Sequence, residues 1–84
     1  MRLPDQPVSL TVEQVAELNG KLSTMRHDIN NYLSLIVASV ELIRYKPETA
    51  ERMMTTVVEQ PPRIAAALHK FSAEFERLLG ATGA

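Results

Sequence analysis

Apolar residues recur along this chain at steps of three and four. Val15, Leu18, Leu22, Met25, Ile29, Tyr32, Ile36, Ser39 and Ile43 form one such seam. The alternation is a heptad repeat with one polar member, Ser39, and it predicts a long amphipathic helix. Thr11 stands where an N-cap would, and Gln14 three residues on completes a capping box. Gly20 costs about 1 kcal/mol relative to alanine but does not end a helix. No proline intervenes before Pro47, so the first helix is expected over about residues 11–45. Residues 1–10, with Pro4, Pro7 and no periodicity, read as an extended lead-in.

Tyr45-Lys46-Pro47 is the expected turn. Pro47 suits the first turn of a following helix, where its missing N–H costs nothing, and Glu48 suits the positive end of that helix. A second seam then runs through Met54, Val57, Pro61, Ile64, Leu68, Phe71, Phe75 and Leu78. It predicts a second helix over about residues 47–79. Pro61-Pro62 is a local conflict, because a proline inside a helix loses a hydrogen bond and crowds the preceding turn. The seam keeps its phase across the prolines, so a kink at 61–62 is expected rather than a break. Gly80 is the expected stop, with residues 80–84 frayed. A turn centred near Lys46 would set His27 about level with Ala65.

Two helices joined by a short turn make an antiparallel hairpin. Yet apolar residues exceed one stripe per helix: Leu33, Leu35, Val40 and Leu42 flank the first seam, and Met53, Val58, Ala65, Ala67 and Leu79 flank the second. A hairpin covers only one stripe of each. The expected fold is therefore all-α, a long antiparallel helical hairpin forming a homodimeric four-helix bundle.

Composition narrows the chemistry. The chain has 84 residues, enough for one small domain, and no cysteine, so disulfides and thiolate metal sites are excluded. Nine Lys and Arg stand against ten Asp and Glu, with no basic run, which argues against a nucleic-acid partner. No apolar run approaches the ~18 residues of a membrane span. A cytoplasmic location is expected. The two histidines, His27 and His69, lack metal-ligand spacing, so no metal site is expected.

With Ile29 placed at heptad position a, position f falls on Glu13, Gly20, His27, Ser34 and Glu41. His27 therefore faces away from the seam, with Asp28 beside it and Asn30 and Asn31 about one turn on. An exposed imidazole is partly neutral and nucleophilic near neutral pH. A carboxylate that accepts the N–H of one ring nitrogen leaves the other free to attack. Phosphoryl transfer asks mainly for positioning and access.

The run Met25-Arg26-His27-Asp28-Ile29-Asn30-Asn31-Tyr32-Leu33 resembles the H-box of bacterial sensor histidine kinases. It is similar in particular to the dimerisation and histidine-phosphotransfer (DHp) domain of hybrid kinases. The resemblance spans about Leu18 to Leu79, and its specific part is the five residues from His27 to Asn31. It implies that His27 carries a phosphoryl group, that Asp28 assists phosphorylation, and that Asn31 helps dephosphorylate a receiver domain. Tyr32 stands where many members carry proline. Family analogy also suggests a receiver-docking surface around Arg26, Asn30, Ser34, Val37 and Ala66. No nucleotide-binding box is present in this sequence, so no cofactor is expected to bind here. Mg²⁺ and ATP would enter only through partner domains.

The function expected is histidine phosphotransfer in two-component signalling. The partners are a second copy of the chain and a response-regulator receiver domain, with a separate kinase or ATP-binding domain as another phosphate source. The chain reads either as a piece of a larger kinase or as a stand-alone phosphotransferase. The alternatives are a non-catalytic dimerisation or adaptor bundle, or a kinase-mimicking inhibitor, each with a relic H-box.

Overall fold

In the computed structural model, which describes residues 3–83 and the side chains of residues 3–80, two long helices lie antiparallel. Helix α1 spans Val12–Tyr45 and helix α2 spans Ala50–Gly83, each of 34 residues. A short 3₁₀ turn, Pro47–Thr49, joins them. No strand occurs among the described residues.

The start of α1 is fixed by the capping box that its sequence implies. Thr11 Oγ1 accepts a hydrogen bond from the Gln14 backbone N–H at 3.0 Å, and Gln14 Oε1 accepts from the Thr11 N–H at 2.8 Å. Two donors left over at the helix start are thereby satisfied. At the other end the Lys46 N–H closes on the Leu42 carbonyl at 2.7 Å. Thr49 then binds the Lys46 carbonyl through both its N–H and its hydroxyl, and Pro47 occupies the first position of the 3₁₀ turn.

Helix α2 runs unbroken through Pro61 and Pro62. Neither proline has an N–H, so the carbonyls of Val57 and Val58 lose their helical donors. Both prolines are exposed, which keeps their rings out of the packed seam. Gly80 does not end the helix, which continues to Gly83. Glycine is favoured after a helix only where the chain turns into a left-handed conformation, and no glycine among the described residues has a positive φ.

On α1 the predicted seam lies inward: Ser39 is buried and Leu18, Leu22, Met25, Ile29, Tyr32, Ile36 and Ile43 are half-buried. Val15, at the open end, is exposed. On α2 the seam differs from the sequence expectation. Met54, Pro61 and Leu68 are exposed, whereas Met53, Gln60 and Ala67 take inward positions beside Val57, Ile64, Phe71 and Leu78. The helix is turned by about half a residue, roughly 50°, so Val57, Ile64, Phe71 and Leu78 stay inward while the proline rings are carried outward. Two adjacent apolar stripes are available, and the heptad steps alone do not choose between them.

The register differs by a small amount as well. Arg77 of α2 donates to Glu17 of α1 at 2.7 Å and to Glu74 at 3.1 Å, tying the open ends of the hairpin together. Glu74 first, then Glu17, raises the Arg77 guanidinium above its ordinary pKa. Asp28 lines one groove together with Ala67, Lys70 and Phe71 of α2. His27 thus stands nearer the level of Ala67 than of Ala65. The 3₁₀ turn moves the centre of the hairpin past Lys46.

The hairpin is one layer thick. Its extents are 56 × 21 × 13 Å and its radius of gyration is 18.1 Å, against about 12 Å for a compact domain of this length. Leu78 is the one buried hydrophobic residue among those described, and the other buried side chains, Ser39 and Gln60, are polar. Gln60 Nε2 donates to the Thr56 carbonyl at 2.7 Å, but its Oε1 has no partner. A buried acceptor without a donor is costly. Gln60→Met, which keeps the volume and removes that acceptor, is expected to stabilise the fold by about 1 kcal/mol, read as a higher urea midpoint with an unchanged slope.

Candidate functional site

His27 lies near the middle of α1, and its side chain is 75% exposed. The other residues that share its face at sevenfold spacing, Glu13, Gly20, Ser34 and Glu41, are exposed too. The heptad phase accounts for this. A residue opposite the seam has no neighbour from α2 over it.

Asp28 is 45% exposed, and its Oδ1 lies 3.7 Å from His27 Nδ1. That separation is too long for a formed hydrogen bond. The helix explains the length, because adjacent residues point about a quarter-turn apart and do not face each other. His27 points outward, whereas Asp28 leans toward α2. There it borders a shallow cleft lined by Lys21, Thr24 and Met25 of α1 and by Ala67, Lys70, Phe71 and Glu74 of α2. Phe71 also stacks along its own helix with Phe75, ring centroids 6.2 Å apart and planes tilted by 33°.

The remaining expected site residues are distributed around this point. Arg26, Asn30, Asn31, Ser34, Val37 and Ala66 are all exposed. At about 3.6 residues per turn, Asn31 and Ser34 project on the His27 side of α1. Val37 falls beside Leu33 and Val40, and Ala66 projects from the far side of α2. Val37 and Ala66 therefore do not form one surface. His69 is also exposed, and Arg63 pairs with Glu59 at 3.6 Å. No group of three or more His, Asp or Glu residues among those described is placed to hold a metal ion.

Sequence reasoning did not find Lys21, Lys70 and Glu74. None of them belongs to a motif. Only the pairing of the helices brings Lys70 and Glu74 to the Asp28 groove. The nearest sequence signal was the four-residue spacing of Lys70 and Glu74, which puts them on one face of α2.

The two faces of the hairpin have different chemistry. Val15, Leu33, Val37 and Val40 of α1 and Met54, Val58 and Leu68 of α2 are exposed apolar residues. Helical spacing places both sets on the same broad face. The charged cleft opens on the opposite one. Leu35 is an exception, exposed and on the cleft side of α1. No helix among the described residues is long and apolar enough to cross a membrane.

Compared with protein-family models, curated proteins and solved structures, the chain matches none.

Because the His27 side chain is 75% exposed and forms no hydrogen bond that holds the helices together, its replacement should leave the fold intact. His27→Gln is expected to change stability by no more than about 0.5 kcal/mol, measured by thermal and urea unfolding. A neutral result makes any loss of function in that variant a matter of chemistry.

Proposed function

We propose that this protein carries a phosphoryl group on His27 and exchanges it with the aspartate of a receiver domain. The observation that carries this reading is an imidazole exposed in the middle of a long helix, with a carboxylate on its Nδ1 side. Asp28 on that side favours the tautomer with the proton on Nδ1, which leaves Nε2 as the nucleophile. In the transfer, Nε2 attacks the phosphorus of the receiver's acyl phosphate. The N–P bond forms as the P–O bond to the aspartate breaks, and the aspartate leaves as a carboxylate with the bonding pair. The Nδ1 proton stays on the ring, whose positive charge the Asp28 carboxylate stabilises. An exposed helix face supports in-line approach of a second protein. Asn31, exposed one turn on, is assigned the role of orienting a phosphoryl oxygen or a water.

The second part of the proposal is that two copies of the hairpin pack through their apolar faces into a four-helix bundle. A single layer with one buried hydrophobic residue among those described lacks the two-layer core that stabilises small domains. Both helices expose apolar residues on one face, so a second copy related by a two-fold axis would cover both stripes at once. His27 projects away from that face and stays accessible in the pair.

Incubation with a phosphorylated receiver domain tests the relay. Wild-type protein is expected to gain phosphate that is labile in acid and stable in alkali. His27→Gln should gain none. Asp28→Asn should transfer about a hundredfold more slowly, the lower end of what a positioned proton partner contributes. Normal transfer by His27→Gln would end the proposal and favour an adaptor or inhibitor role. The assembly is tested by light scattering: wild-type protein should have the mass of a dimer, and the double variant Leu33→Glu, Val58→Glu that of a monomer with reduced helicity.

A further inference from the structure

The cleft beside His27 is lined by charged groups from both helices. Lys21 of α1 and Lys70 of α2 face it, together with Asp28 and Glu74. Glu74 is committed to Arg77, which binds its Oε2 through both Nε at 3.3 Å and an outer guanidinium nitrogen at 3.1 Å. Neither Lys21 nor Lys70 has an ion-pair partner within 4.0 Å among the described residues. Of the two carboxylates that line the cleft, Asp28 is the one that no guanidinium holds. That same carboxylate has only the long 3.7 Å contact with His27 Nδ1.

The helix geometry allows the two sides to compete for this carboxylate. Asp28 projects between the outward direction of His27 and the inward direction of the seam, so its carboxylate can turn toward the imidazole or toward the cleft. Two flexible ammonium groups wait on the cleft side, one from each helix. Exposed ion pairs are individually weak, so neither arrangement excludes the other.

We propose that Asp28 is shared between His27 and the cleft lysines, Lys21 and Lys70, and that these lysines act as positioning residues by drawing the carboxylate away from the imidazole. With the lysines holding it, His27 loses the acceptor that fixes its proton on Nδ1. Because Lys70 lies on α2, any change in the pairing of the two helices alters the availability of Asp28 to His27. The consequence for transfer rests on the relay proposed above; the effect on the ring proton does not.

Two readouts on the full chain separate the two ideas. Nitrogen-15 spectra of the His27 ring report which nitrogen carries the proton and need no phosphate. Lys21→Gln with Lys70→Gln should raise the ratio of Nδ1–H to Nε2–H about two- to fivefold, the span that exposed ion pairs cover. Lys70→Gln alone should move it less and in the same direction, which guards against misfolding of the double variant. Lys21→Arg with Lys70→Arg should keep the wild-type ratio. In an Asp28→Asn background the glutamine substitutions should have no effect. Transfer from a phosphorylated receiver should quicken in the double glutamine variant in proportion to the fraction of Nδ1–H ring, and so by no more than the change in the ratio. An unchanged proton ratio, or an equal change in the Asp28→Asn background, overturns the sharing. A ratio that responds as expected in a protein that never takes up phosphate leaves the sharing standing and removes the relay.

Discussion

Each helix of the hairpin is shielded along one stripe, because its partner lies on one side of it. For two helices of 34 residues that shielding is thin. The inward seam contains one buried hydrophobic residue among those described, Leu78, and two buried polar ones, Ser39 and Gln60. Burial is the main favourable term in folding, and a layer 13 Å thick offers little of it. Directional contacts add to it at the ends: the Thr11–Gln14 capping box at the start of α1, the Lys46–Thr49 bonds in the turn, and Arg77 between Glu17 and Glu74.

The same geometry divides the surface. Packing α1 against α2 turns one set of apolar residues, Leu33, Val37, Val40, Met54, Val58 and Leu68, onto one face. It turns Lys21, Asp28, Lys70 and Glu74 into the cleft on the other. His27 lies beyond the cleft on the outer side of α1. A second copy on the apolar face, as proposed, leaves the imidazole and the cleft open. The division makes it possible for one short chain to assemble through one side and exchange a group through the other.

The middle of α2 concentrates polar groups whose hydrogen bonding is incomplete. Pro61 and Pro62 remove two helical donors, and the adjacent Gln60 keeps a buried oxygen without a partner. These features lie close to the seam position that the heptad steps assign to Pro61. They show why the seam turned: with Gln60 inward, both proline rings face outward and the close contact of the helices is kept.

Much of this was legible in the residues themselves. The three-and-four spacing from Leu18 to Ile43, the Thr11–Gln14 pair and Pro47 mark α1 and the turn because each acts locally, within one or two helical turns. The outward position of His27 follows from the same periodicity. The choice of Met53, Gln60 and Ala67 over Met54, Pro61 and Leu68 was not legible, since both stripes satisfy the period and only packing against α1 separates them. The place of Gly80 inside α2 was hidden for a similar reason: glycine permits a stop without imposing one. The Asp28 cleft was out of reach of any local pattern. Asp28 and Lys70 lie far apart along the chain, and their meeting depends on a register set by the 3₁₀ turn and by the Glu17–Arg77 pair. Periodicity fixes which way a side chain points from its own helix; what it meets there is decided by how the second helix is laid against the first.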